Sequence, residues 1–333
     1  MPKLSFNLSQ KKRLGSTILL LAIALILIAI ISLSLGPVHL TMSELWQAIL
    51  GRGDPINQTI IRQLRVPRIL AAMVVGAALG TSGALLQGML RNPLATPFLL
   101  GISAGAGLVI VSAITLGLYS SLIPIAAWCG AIATTTLVYF LARSGNTIAI
   151  ERLILAGVAV SSLFGSLQTV LLLLSEDSRI QNALNWIVGS LNGRGWPELH
   201  IAGPYILIAL ILACLLGRSL NVLNLGDDLA VGLGFSLARS RIFIGGIATL
   251  LAAGAVSIAG LIGFVGLIVP QAIRLLIGNS DYRWLIPLSA VGGALVLLGA
   301  DLLARLGSVE LPVGAVTALF GSPIFVWLLY RRK

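Results

Sequence analysis

Charge is scarce in this chain. Of its 333 residues only 10% are Asp, Glu, Lys or Arg, against 57% hydrophobic residues, and the mean hydropathy of +1.02 lies outside the range of soluble globular domains. Cysteine and histidine are nearly absent, with 2 of each. Cys129 and Cys214 both fall inside apolar runs, which speaks against a disulfide framework and marks them as packing residues. His39 and His200, without clustered cysteines, leave no basis for a histidine metal site. There is no Gly-Lys pair, so the G-x-x-x-x-G-K-[ST] phosphate loop is missing and the chain does not hydrolyse ATP by itself. Paired carboxylates or a Ser/His arrangement deep in the apolar runs, as intramembrane proteolysis would require, are also missing. No catalytic residue is assigned.

What is present is a succession of apolar runs from Leu14 to Tyr330, with no polar block between them long enough to fold alone. This predicts an all-α, polytopic membrane protein: a basic stretch 1–13, one transmembrane domain 14–330 and a short tail 331–333. The formal charge of +11 is spread over loops between the runs, so it does not point to nucleic acid. The run Leu14–Leu35 is longer than a signal-peptide core and has no Ala-x-Ala cleavage site, so it reads as the first span.

A spanning helix needs about 20 apolar residues. That template places ten spans, at 14–35, 67–90, 97–119, 123–141, 153–174, 201–216, 242–262, 264–277, 285–303 and 313–330, with eight or nine as the alternative count. The sixth and eighth are short. An even count puts both termini on one side, and both are basic: Lys3, Lys11, Lys12 and Arg13 at the start, Arg331, Arg332 and Lys333 at the end. The positive-inside rule makes that side the cytoplasm. Alternating from there, the inner loops hold Arg91, Arg143, Arg152, Arg218, Arg239, Arg241, Arg274 and Arg283. One loop opposes the rule, because Arg52, Arg62, Arg65 and Arg68 gather outside, before the second span. Pro67 is expected to open that span and to disfavour a helical Val66. Gly76 and Gly80, and likewise Gly101 and Gly105, are spaced for close helix contact.

Ionisable residues within spans are costly, and Asp301 and Arg274 stand out. Asp301 is read as paired with Arg305 one helical turn later, with a coupling carboxylate as the alternative. The longest inner loop, 217–241, reads GRSLNVLNLGDDLAVGLGFSLARSR. Gly226, Gly232 and Gly234 divide it into short helical pieces, and Asp227 and Asp228 suit the positive end of one. Leu225, Leu229 and Leu233 recur every four positions, giving a short helix one apolar side fit to dock a cytosolic partner, with a loop lying flat on the lipid interface as the alternative.

Five stretches together resemble the permeases of binding-protein-dependent ABC importers of the iron-siderophore and vitamin B12 class, the FecCD family. They are RVPRILAAMVVGAALGTSGALLQGMLRNPLATPFLLGISAGAG (65–107), LNWIVGSLNG (184–193), LNLGDDLAVGLG (223–234), GLIGFVGLIVPQAIRLLIG (260–278) and ADLLARLGSVELPVGAVTALFGSPIFVWLL (300–329). The resemblance covers nearly the whole chain and is specific for the family, not for the cargo.

It implies ten helices in a cytoplasmic (inner) bacterial membrane, a second permease subunit (the same or a related chain), two cytosolic ABC ATPases that use the ATP, and an extracytoplasmic substrate-binding protein. No cofactor is bound by the chain itself. The resemblance also makes 223–234 the ATPase-coupling region, with Gly226, Asp227, Asp228, Gly232 and Gly234 as its residues. Arg65, Arg68 and Arg305 match the family's docking arginines, and a guanidinium suits that task because it stays charged and takes a carboxylate with two hydrogen bonds. Arg62 has no motif and reads as an interfacial anchor. The inner gate would fall near Ala149, Ile150 and Glu151. Two positions depart from the family: Gln271 and Tyr282 stand where histidines are common. The expected cargo is an iron(III) chelate, a siderophore or iron-dicitrate, with cobalamin or haem as alternatives. From another class, an ion-driven carrier would use Asp301, and a scaffold without transport would be indifferent to changes in the 217–241 loop.

Overall fold

In a bilayer every backbone N–H and C=O must find its partner within the chain, and helices do this locally. The computed structural model describes residues 8–330 apart from 37, 39, 118–122, 145–146, 149, 176 and 308. His39, Ala149 and the basic residues Lys3 and 331–333 therefore lie outside the described residues. In chain order the helices are α1 (Leu8–Ser34), α2 (Met42–Ile49), α3 (Pro55–Thr59), a π turn (Ile60–Arg65) and α4 (Val66–Met89). A 3-10 turn (Pro97–Leu100) precedes α5 (Ile102–Thr115), α6 (Ile123–Ala142), a two-residue hairpin of β1 (Arg143–Ser144) and β2 (Thr147–Ile148), and α7 (Ile150–Leu173). Then come α8 (Asp177–Val188), α9 (Trp196–Leu215), α10 (Gly217–Leu223), α11 (Asp227–Gly232), α12 (Leu237–Ala259), α13 (Val265–Ile277), α14 (Tyr282–Ala304) and α15 (Val313–Tyr330).

Each expected span overlaps one of the longer α-helices, though not always with the expected ends. By length and hydropathy 7 segments among the described residues are fit to cross a membrane, and shorter apolar helices lie at Ile102–Thr115, Val265–Ile277 and Val313–Leu328. Four expectations need correcting. The sixth span is not short: α9 has 20 residues, because Glu198 at its third position accepts the Gly195 N–H at 2.9 Å and carries the helix start back to Trp196. The third span begins later than Pro97, since Gly101 at φ +71 separates the 3-10 turn from α5 and so serves as a turn residue. Pro67 does not end the helix before it. Val66 is helical at φ −59 and ψ −52, and the π turn at Ile60–Arg65 accommodates the missing proline N–H by widening the coil. Finally, Cys129 and Cys214 are free and exposed on the surface of this chain, so they do not pack in its core.

Burial sorts the helices into layers. The most apolar windows of the α3–α4 rod, α12 and α14 are 78%, 72% and 61% buried, whereas those of α1 and α7 are 11% and 22% buried. The core is thus a three-helix centre with α4 at its axis. Glycine permits the approach: a Cβ on Gly76 would fall on the Gly293 carbonyl oxygen, and one on Gly80 would fall on that of Ser289.

Candidate functional site

Two charged clusters mark opposite ends of α4. At its N-terminal end Arg68 donates to both oxygens of Asp301, with Nη2–Oδ1 at 2.8 Å and Nε–Oδ2 at 3.3 Å. Arg305 closes the other side, Nη2 lying 3.1 Å from Asp301 Oδ2. The predicted turn-to-turn pair is present, and packing adds Arg68, 233 positions away in sequence. Asp301 is fully buried, as a carboxylate held between two guanidinium groups can be. Arg68 also donates to Glu310 Oε1 at 2.6 Å, and Glu310 is 31% exposed. Arg65 is buried and turns the other way, donating to the carbonyls of Leu33, Ser34 and Val38. Leu33 and Ser34 supply unpaired acceptors at the C-terminal end of α1, where a cation is favoured, and Val38 belongs to the segment that follows. Arg62 is exposed and donates to Ile49 O at 2.8 Å. Of the three expected arginines, Arg68 and Arg305 share one network, while Arg65 caps α1.

At the other end of α4 lies α11. Gly226, at φ +116, turns the chain into it, Asp227 and Asp228 occupy its first turn, Gly232 ends it, and Gly234 at φ +81 turns out of it. Asp227 is clamped by Arg241 at 2.9 Å and by Arg91. Partial burial raises the Asp227 carboxyl, but the hydrogen bond and charge of Arg241, together with those of Arg91, leave it below the usual carboxylate range. Arg91 Nε donates to Leu223 O at 2.8 Å, and Asn224 Nδ2 to Gly88 O at 3.1 Å. Asn221 Nδ2 reaches Asp281 Oδ1 at 2.7 Å, so α10 is also tied to the start of α14. Leu225, Leu229, Val231 and Leu233 are 56–63% exposed beside this clamp. The expected apolar side exists and stays exposed, while Arg91 ties the Asp227 end of α11 to the residues that follow α4. The sequence marks Arg91 and Arg241 only as inner-loop charges and gives Asn224 and Glu310 no role. Glu310 had a signal, being the only acid between the last two spans, whereas the others are visible only through contacts.

The two departures from the family pattern meet in one cluster. Gln271 Nε2 and Arg274 Nη1 both donate to Gln87 Oε1, at 3.0 and 2.6 Å, and Arg274 Nη2 donates to the Tyr282 hydroxyl at 3.1 Å. This joins α4, α13 and α14 near the α11 end, and it accounts for Arg274 as a tether. Ile150 and Glu151 open α7, Ile150 packing on the core and Glu151 exposed in the first turn. Farther along, α7 exposes Ser162, Ser166 and Thr169 on one side.

The chain matches the FecCD transport family over residues 24–331. It is 40% identical over 323 residues to the hemin transport system permease protein HmuU of Yersinia pestis, covering 94% of this chain and 95% of that one. It is 40% identical over 280 residues to the cobalamin import system permease protein BtuC of Halobacterium salinarum, covering 83% and 74%. Among solved structures, an inward-facing conformation of a chain assigned to the metal-chelate type of ABC transporter superposes with TM-score 0.85 at 32% identity, covering 93% of this chain and 97% of that one. With a family match over nearly its whole length and a bundle whose charged clusters sit at the two ends of its central helix, the chain belongs to the FecCD transport family.

Proposed function

We propose that this membrane permease carries an iron(III) chelate, a siderophore or iron-dicitrate, inward across the cytoplasmic membrane as the spanning subunit of a binding-protein-dependent ABC importer. The observation that carries the proposal is α4 itself, which has a cluster of arginines at one end and a clamped, apolar α11 at the other. The α11 end, rich in arginine, faces the cytoplasm together with both termini. There Leu225, Leu229 and Leu233 rest on the ATPase, and Gly226, Asp227, Asp228, Gly232 and Gly234 set the shape of the contact. Ile150 and Glu151 at the start of α7 form the gate. Ser162, Ser166 and Thr169 then line the side of α7 shared with a second permease subunit, the hydroxyls of Ser166 and Thr169 being held by carbonyls one turn back on the same helix. At the opposite end, Arg68 and Arg305 receive carboxylates of the substrate-binding protein, and Arg65 fixes the chain after α1 beside them. Affinity for the cargo resides in that external protein.

The test is reconstitution. Vesicles containing the permease, its ATPase and its binding protein should accumulate the radiolabelled iron chelate only with ATP, and the permease alone under a proton or sodium gradient should be inert. Uptake by the lone chain would sink the proposal. Uptake of cobalamin or haem in place of the iron chelate would move the cargo to the runner-up class. The ion-driven alternative draws little support from Asp301, whose oxygens are both engaged by guanidinium groups. Docking is best tested with Arg68→Lys, because reversing that charge would set two carboxylates against each other in the core. The lysine should weaken binding-protein docking by about tenfold, a change of about 1.4 kcal/mol.

A further inference from the structure

Arg68 holds two carboxylates of different character. Asp301 is fully buried, accepts from both Nε and Nη2, and is also paired with Arg305. Glu310 accepts a single hydrogen bond from Nη2 at 2.6 Å and is 31% exposed. The first is part of the fold. The second belongs to the segment between α14 and α15, and it meets the guanidinium from the side open to the surroundings. The backbone beside it is anchored, because the Leu311 N–H donates to Ala304 O at 3.0 Å. Glu310 can therefore leave Arg68 by rotating its own side chain, with no loop rearrangement.

From this geometry we infer that Glu310 is a built-in placeholder: it occupies the place on Arg68 that a carboxylate of the docking protein takes, and it is exchanged when that protein arrives. The inference rests on the reading that the arginine end receives the binding protein. Charge balance supports it. Arg68 and Arg305 balance Asp301 and Glu310, and Arg65, capping α1 beside Arg305, adds a positive charge that no carboxylate among the described residues pairs with, so the region attracts an acidic partner even with Glu310 in place. The surroundings support it as well. Leu306, Val309 and Leu311, flanking Glu310, are 59%, 72% and 52% exposed. An apolar rim around one exchangeable ion pair is the arrangement of a protein-binding surface, where the partner excludes water from the pair. The partner is thus a protein presenting a surface carboxylate with apolar neighbours. Glu310 lowers its affinity, because the bound state must first displace it. That keeps docking reversible between transport cycles.

The experiment compares docking of the substrate-binding protein encoded beside the permease gene to wild-type and Glu310→Gln permease–ATPase complexes in lipid nanodiscs. Exposed ion pairs are worth up to about 1 kcal/mol, so Glu310→Gln should bind about two- to fivefold more tightly at low salt, with the gain fading at high salt. Glu310→Asp, whose shorter carboxylate holds Arg68 less well, should lie between the two. Thermal unfolding should be unchanged, since Asp301 still holds Arg68. Equal or weaker binding by Glu310→Gln overturns the inference. A binding protein with its surface carboxylates neutralised separates the two levels. If it docks on the wild type as well as the unmodified protein does, the arginine-end reading falls and the inference with it. If neutralisation weakens docking while Glu310→Gln does not tighten it, the placeholder alone is refuted.

Discussion

Asp301 and Glu310 touch the same guanidinium, yet they should respond oppositely to substitution. Removing the buried carboxylate leaves Arg68 and Arg305, 13% and 9% exposed, without their shared counter-charge. Breaking a buried pair from one side costs about 3–5 kcal/mol, so Asp301→Ala should lower the unfolding temperature markedly in detergent and reduce the folded yield. Glu310→Gln should change stability by less than about 1 kcal/mol. The same measurement on both variants checks the contrast. At the other end Asp227 gives a pH prediction. Its carboxyl lies below the ordinary value in the folded chain because Arg241 and Arg91 outweigh the effect of burial. A group with a depressed folded pKa contributes stability that is present above the unfolded pKa and is lost as pH falls through the folded one. The clamp should hold unchanged from neutral pH down to about 5 and loosen only below the ordinary Asp value of 3.8. Hydrogen exchange of 223–234 as a function of pH reads this, and loosening already at pH 6 would contradict it.

At the scale of elements, the decisive contact is α4 against α14. A methyl group at Gly76 would fall on the Gly293 carbonyl oxygen, so the helices must separate or the backbone must shift. Overpacking of this kind costs about 1–3 kcal/mol, and Gly76→Ala should show it as a loss of thermal stability. Gly246 on α12 is the control. Nothing lies within 4 Å of a Cβ placed there, and alanine is the better helix former, so Gly246→Ala should be neutral or slightly stabilising. The helices themselves were legible in the sequence because apolar runs of spanning length have few other solutions in lipid. Their ends were less so. The π turn before Pro67, the late start of α5 at Gly101 and the early start of α9 at Trp196 depend on single caps and turns that hydropathy averages away. The short helices α2 and α8 lie outside the apolar runs altogether.

For the whole molecule, α4 connects two surfaces that the sequence reading assigned separately. Gly88 and Arg91 at one end hold α10 and α11, while Arg68 at the other holds α14 and the segment after it. If α11 is the ATPase contact, its exposed leucines should matter for coupling and not for folding. A Leu225→Ser, Leu229→Ser double variant should fold with unchanged stability, since both side chains are more than half exposed. It should lose roughly tenfold in affinity for the ATPase and lose ATP-driven uptake, while docking of the binding protein persists. Retained uptake would remove α11 from the coupling role. Membrane residence, the ten spans, the gathering of arginines before the second one and membership of the family all follow from composition, period and motif, because those signals are local and are written in consecutive residues. Which arginine caps α1, which pair holds Asp301, and how Gln271 and Tyr282 come to share one cluster follow only from packing. Charges more than 200 positions apart find each other when glycine faces let α4 and α14 close together, and no pattern along the chain encodes that distance.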